Sequence, residues 1–241
     1  MIASTDTHVS NPGNVKESDW AGSVVGEGTP VERLQKGILT SGIDGNPGGL
    51  AGIWAEQNTR DSIFNALLRK EVFGTSGPRI RPRFFAGWNI NENLCNVNEM
   101  ISDAYASGVP MGGDLMPSRS KSFPKFLMQA AKDPEGLNIE SIQLVKGWID
   151  EEGNMNTKVI PVLSEIGGAE SLCKVYTDTE FENSLPSYYY MRVVEPKSPR
   201  WHTYDCERLS EDDRPDVCTN ETYPSFIREM AWTSPIWYRP E

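Results

Sequence analysis

Asp6-Thr7-His8 sets a carboxylate and an imidazole two residues apart, after the run Ile2-Ala3-Ser4-Thr5 and just ahead of Asn11-Pro12-Gly13-Asn14. In extended backbone, residues i and i+2 project to the same side. A carboxylate and an imidazole so placed are donors for a divalent cation such as Zn²⁺, Mn²⁺ or Fe²⁺. A protein metal site takes about three or four ligands, so the pair alone is an incomplete set. The plainer reading is a strand-end aspartate that caps the following turn, beside a surface histidine. Both readings require the same order of elements: a strand, the pair, then a loop.

Gly74-Thr75-Ser76-Gly77-Pro78-Arg79-Ile80 is the second stretch with chemistry in it. Its two glycines permit close backbone approach to a ligand, Ser76 or neighbouring N–H groups can orient an anion, and Arg79 can hold a phosphate or carboxylate in a two-pronged fork. The alternative is a tight helix-to-strand turn with Arg79 paired to a local acid. On a following strand Arg79, Arg81 and Arg83 share one face, and three like charges there call for acidic neighbours or an anion. The only other histidine, His202, lies in Arg200-Trp201-His202-Thr203-Tyr204-Asp205. It reads either as part of a polar cluster that reaches the Asp6/His8 loop or as a hydrogen-bonded histidine between strands. The chain has no G-x-S-x-G, P-loop or dinucleotide fingerprint, so a serine hydrolase or nucleotide-dependent enzyme finds no support.

The elements that must position these groups are mostly strands. Residues 10–47 are rich in Gly, Pro, Asn and Ser, with one or two helical turns expected at Val31–Gly37, and read as a long loop lining the Asp6/His8 site. Trp20 and Trp54 are candidates to wall an apolar pocket or simply to pack. Asn58-Thr59-Arg60-Asp61 starts a helix, with a capping side chain and an acid suited to its positive end. Ile63, Phe64, Leu67 and Leu68 repeat at helical spacing and predict a buried stripe. Beyond Trp88 the pattern is mainly β: strands are expected at 123–131, 142–150, 157–163, 172–177, 187–194 and 230–237, the last carrying Pro235 as at an edge or bulge. Helical stretches fall within 89–107.

Composition narrows the function classes. The 241 residues carry 38% apolar side chains and seven Trp, as in a folded globular protein. A formal charge of −11 disfavours nucleic acid and anionic membranes as partners, since both need basic surface. No apolar run approaches the ~20 residues of a membrane span, and neither a signal peptide nor a transmembrane segment is visible. Cys95, Cys173, Cys206 and Cys218 contain no C-x-x-C. Cys206 and Cys218 flank an acidic loop, expected between two strands, at a spacing a disulfide can close; four reduced thiols are the alternative.

Four motifs taken in order resemble the domain of unknown function 3604 family, a group similar to PHP (polymerase and histidinol phosphatase) hydrolases. They are Gly49-Leu50-Ala51-Gly52-Ile53-Trp54-Ala55-Glu56-Gln57-Asn58-Thr59-Arg60, Gly74 to Ile80, Met111-Gly112-Gly113-Asp114-Leu115, and Ala231-Trp232-Thr233-Ser234-Pro235-Ile236-Trp237-Tyr238. Ser4-Thr5-Asp6-Thr7-His8 resembles the last PHP metal-binding motif, in which Asp-x-His follows the final barrel strand. Family members are longer, and the earlier motifs that supply most ligands are missing here. The resemblance thus implies the C-terminal part of such a protein; the sequence does not fix the compartment, and a periplasmic parent is compatible with it.

The expected fold is α+β and mainly β. Residues 1–80 would be the end of a PHP-type α/β barrel (last strand, loop, helix), and residues 81–241 a β-sandwich-like domain. The implied function is metal-dependent hydrolysis of a small anionic phosphate-type ester. Asp6 and His8 would hold the divalent metal ion, and Arg79, Ser76 and Glu56 would be catalytic, with the set completed by an absent portion or by a second copy in a homo-oligomer. The alternative is a non-catalytic accessory or oligomerisation module in which Asp6-Thr7-His8 is the stump of a dismantled site.

Overall fold

The computed structural model describes residues 1–38, 41–118 and 122–240. Leu39 and Thr40 of the long N-terminal loop therefore lie outside the described residues. In chain order the helices are α1 (Pro30–Arg33), α2 (Arg60–Leu68), α3 (Met100–Ser107) and α4 (Trp201–Arg208). The strands are β1 (Leu50–Ile53), β2 (Val72–Thr75), β3 (Arg81–Gly87), β4 (Val109–Pro110), β5 (Asp114–Leu115), β6 (Lys125–Ala131), β7 (Ile139–Ile149), β8 (Met155–Ala169), β9 (Ser171–Thr177), β10 (Ser187–Pro199), β11 (Phe226–Thr233) and β12 (Ile236–Tyr238). The protein is mainly β, as its sequence predicts.

Two open sheets share one principal core. The smaller runs β4-β3-β6-β9, with β3 and β6 antiparallel from Arg81↔Ala131 to Gly87↔Lys125. The larger is built on β10, which pairs β7 along one edge, from Ser187↔Trp148 to Val194↔Ser141, and both β12 and β11 along the other. β11 and β12 form one line interrupted at Ser234-Pro235, and Pro235 instead uses its carbonyl to accept from Gly112 N–H. The proline thus breaks a strand inside the sheet, because its ring supplies no N–H to the ladder, and does not mark an edge. β11 continues into β2 and then β1, β12 into β5, and β7 into β8, the outermost strand.

Alternation explains the layers. Phe84 and Ala86 of β3 and Phe126, Met128 and Ala130 of β6 point into the principal core, where they meet Ile142 and Leu144 of β7 and Tyr189, Met191 and Val193 of β10. Phe85 and Leu127, of opposite parity, form a separate cluster with Ile90, Leu94 and Ala104 beneath α3. The Cys95–Cys173 disulfide ties that helical cover to β9. A third cluster joins Trp20, Leu34 and Ile43 from the N-terminal loop to Trp201 and Cys206 of α4, with Trp20 and Trp201 ring centroids 4.4 Å apart.

Residues 1–7 form no strand and Asp6 is in left-handed backbone, which corrects the expected order of strand, pair and loop; two further expectations are corrected as well. Arg200–Asp205 opens a helix, not a segment between strands, and Cys206 pairs with Cys218 from that helix to a short 3-10 turn, 216–218. The loop at 10–47 meets the Asp6/His8 segment at Ser23 and also folds against α4: Arg33 donates to Asp205 at 2.7 Å, with both side chains buried, and Arg200 donates to the carbonyls of Ile43 and Gly45. On α2, Thr59 caps as expected by accepting from Ser62 N–H, yet the apolar stripe is not core. Phe64, Leu67 and Leu68 are 58%, 45% and 63% exposed, and Ala66 is the helix's only fully buried residue.

Candidate functional site

The Asp6/His8 arm begins by lying across the β1–β2 corner. Gly49 N–H donates to Ser4 carbonyl at 2.9 Å. Gly48 (φ +75°) leaves no room for a side chain there, since a Cβ would sit 2.6 Å from the Cα of Thr5. Gly74 is open in the same way to Ala3. The glycines of the second motif therefore admit the protein's own arm.

Past this anchor Asp6 takes a left-handed conformation (φ 51°), and His8 N–H donates to Ser23 carbonyl at 2.7 Å. Ser23 N–H in turn donates to the buried Glu27 carboxylate at 2.6 Å, whose other oxygen takes Gly42 N–H. Asp6 and His8 are both exposed, and neither side chain has a hydrogen-bond or ion-pair partner among the described residues. Between them the Thr7 hydroxyl is buried without a partner. Among the described residues no group of three or more His, Cys, Asp or Glu is arranged to hold a metal ion. Two donors are fewer than the about three or four a metal site takes, and left-handed Asp6 departs from the extended geometry expected of the pair.

The other predicted residues fall elsewhere. Glu56 is exposed in a cleft with Trp54, Arg69, Glu71, Arg83 and Tyr105. There Arg83 stacks 3.3 Å above the Trp54 ring, Arg69 pairs with Glu71 at 2.8 Å, and Tyr105 donates its hydroxyl to Glu71. Burial and that neighbouring carboxylate push the Tyr105 phenol up to about 12. Arg83 has thus found acidic and aromatic neighbours, which answers the expected arginine face locally.

Ser76 and Arg79 are brought to a different cleft. Ser76 donates its hydroxyl to Glu229 and accepts Met230 N–H at 2.8 Å, while Arg79 N–H donates to Asp133 at 2.7 Å. Around the cleft stand Glu17 from the N-terminal loop, Glu195 from β10 and Glu229 from β11, with a volume near 320 Å³. Burial raises Glu229, raises Glu17 to about 7 against a bond from Trp201 N–H, and, with Glu229 and Asp133 nearby, raises Glu195 to about 8. Nothing at the level of motifs announces this cluster. Alternation along β10 does not announce it either, because Val193, Val194 and Glu195 are buried in succession where β10 shifts register against β11.

His202 is buried against Arg200, its Nδ1 3.3 Å from the guanidinium. Burial and then that positive charge lower its pKa to about 4, so it is a neutral acceptor. It packs within α4 against Arg200 and the Trp201 ring and forms no polar cluster with Asp6 or His8.

A two-sheet, mainly β molecule with a loop-and-helix flank and an exposed Asp-x-His arm is the class these features define. The family model described as "Protein of unknown function (DUF3604)" matches residues 1–165 and 163–240, and the chain belongs to that family. No curated protein and no solved structure matches it.

Proposed function

We propose that this chain contributes two ligands, Asp6 and His8, to the metal centre of a hydrolase acting on phosphate or related esters. The supporting observation is the arm itself. An aspartate in left-handed backbone, followed two residues on by a histidine, stands unpartnered in solvent on a segment fixed at Ser4 and again at His8. Backbone outliers held by surrounding structure cluster at functional sites. The remaining ligands come from outside these residues, from another part of the parent protein or from a second copy. The substrate is a small anionic ester; Arg79 and Glu56 line two different clefts, neither of them lined by Asp6 or His8, so at most one of the two meets it, while Ser76 holds Glu229. The closed Cys95–Cys173 and Cys206–Cys218 pairs support an oxidising compartment, such as a periplasm.

The lack of a third donor among the described residues favours a second reading, a non-catalytic accessory module. Metal titration and a panel of phosphate, phosphonate and sulfate esters separate the two. On the hydrolase reading, Zn²⁺ or Mn²⁺ binds the chain, and Asp6→Ala and His8→Ala each weaken binding at least tenfold and remove any turnover. Equal metal content in wild type and both variants, with no turnover, establishes the module instead.

A further inference from the structure

The cleft around Glu195 shares Arg79 and Glu229 with that reading but holds a buried acid that the reading does not use. Glu195 is only 2% exposed, and its Oε1 is buried with no hydrogen-bond partner. The other carboxylates around the cleft are engaged: Asp133 takes the N–H groups of Arg79 and Glu135, Glu17 takes Trp201 N–H at 2.5 Å, and Glu229 takes the Ser76 hydroxyl. A buried carboxylate oxygen without a donor costs free energy that a polar ligand would recover.

Two glycines lie beside the acids. A Cβ on Gly136 would meet Asp133 Cβ at 2.9 Å and Glu195 Oε1 at 3.5 Å, and one on Gly77 would meet the Val15 carbonyl at 2.8 Å and the two oxygens of Glu229 at 3.7 and 3.8 Å. Both glycines are thus required by the chain's own packing at the edge of the cleft.

The charges around the cleft decide what enters. Glu17, Asp133, Glu135, Glu195 and Glu229 face it against Lys16 and Arg79, and Lys16 is already paired with Glu135 at 2.8 Å on the rim. Once Glu17 and Glu195 have released their protons the excess is negative, so the ligand that displaces those protons is a cation. The acids are spread around a volume near 320 Å³, and among the described residues none form a three-donor group suited to a metal ion. An alkylammonium suits the space better, since it offers three N–H donors on a narrow stem and makes charge-assisted bonds to carboxylates.

We propose that this cleft binds a small aliphatic amine, its ammonium donating to Glu195 Oε1 and lying beside Glu229, with Tyr204 along the entrance. Because Glu195 and Glu17 hold protons up to about 8 and about 7, an incoming cation displaces protons, and binding tightens between pH 6 and pH 8. Lys132 and Asp133 bias Glu195 in opposite directions within the same turn region.

Isothermal titration of the whole chain with 1,4-diaminobutane tests this, with neutral 1,4-butanediol and Ca²⁺ as comparison ligands. The diamine is expected to bind one per chain, at least tenfold more weakly in Glu195→Gln and in Glu229→Gln, and unchanged in Asp6→Ala and His8→Ala. The glutamine variants keep side-chain size, and their melting curves report folding independently of binding. No diamine binding, unchanged affinity in both folded glutamine variants, equal binding of the diol, or tighter binding of Ca²⁺ each overturns the proposal.

Discussion

Glu195 and His202 pull the pH dependence of stability in opposite directions. A carboxyl whose folded pKa is raised stays protonated in the fold after the unfolded chain has released its proton. The contribution of Glu195, and of Glu17, is therefore full below pH 4.5 and is lost as pH climbs through about 7 and about 8. His202, lowered from 6.5 to about 4, charges first in the unfolded chain, so its contribution is present above pH 6.5 and lost as pH falls through 4. The predicted outcome is a melting temperature that declines from pH 6 to pH 9 in the wild type and declines less in Glu195→Gln. A variant that keeps the wild-type slope would show that Glu195 is not the group responsible. The sequence makes Asp6, His8, Ser76 and Arg79 conspicuous because they sit in short motifs. Glu17, Asp133, Glu195 and Glu229 are spread over more than two hundred residues and meet only through β10, β11 and the turn before β7.

At the level of elements, legibility followed periodicity. The strands at 125–131, 139–149 and 171–177 announce themselves by apolar and β-branched residues, and both sheets form where those runs lie. α4 was hidden because its buried face is Trp201, His202, Asp205 and Cys206, a set with no apolar repeat, which partners from the N-terminal loop satisfy. α2 misled for the opposite reason: its stripe has the right spacing, but the helix seats only Ala66 fully. Phe64→Ser and Leu68→Ser should thus each change unfolding free energy in urea by about 0.5 kcal/mol or less. Phe126→Ala, at 0% exposure in the principal core, should cost about 3–5 kcal/mol. A multi-kcal loss at Phe64 would mean that another surface covers the helix in solution.

That surface bears on the whole molecule. Because Phe64 and Leu68 are exposed, and β8 pairs only β7 among the described residues and leaves Met155 and Ile166 open, we predict self-association. Light scattering at micromolar concentration should give a mass above one chain, and a strict monomer would count against it. Cys95–Cys173 spans 78 residues, a closure worth about 4–5 kcal/mol in the chain-entropy picture, so reduction should lower the melting temperature markedly. The shorter Cys206–Cys218 link has a more local reach. It fastens α4, whose Asp205 grips Arg33; Arg33 also donates to Glu27 carbonyl, Glu27 holds Ser23, and Ser23 holds the backbone of His8. Thiol chemistry at one flank is thereby wired, bond by bond, to how steadily the histidine is offered at the other, and a reductant would slacken that offering without touching either donor. Faster amide exchange at His8 and Ser23 after selective opening of this link is its signature.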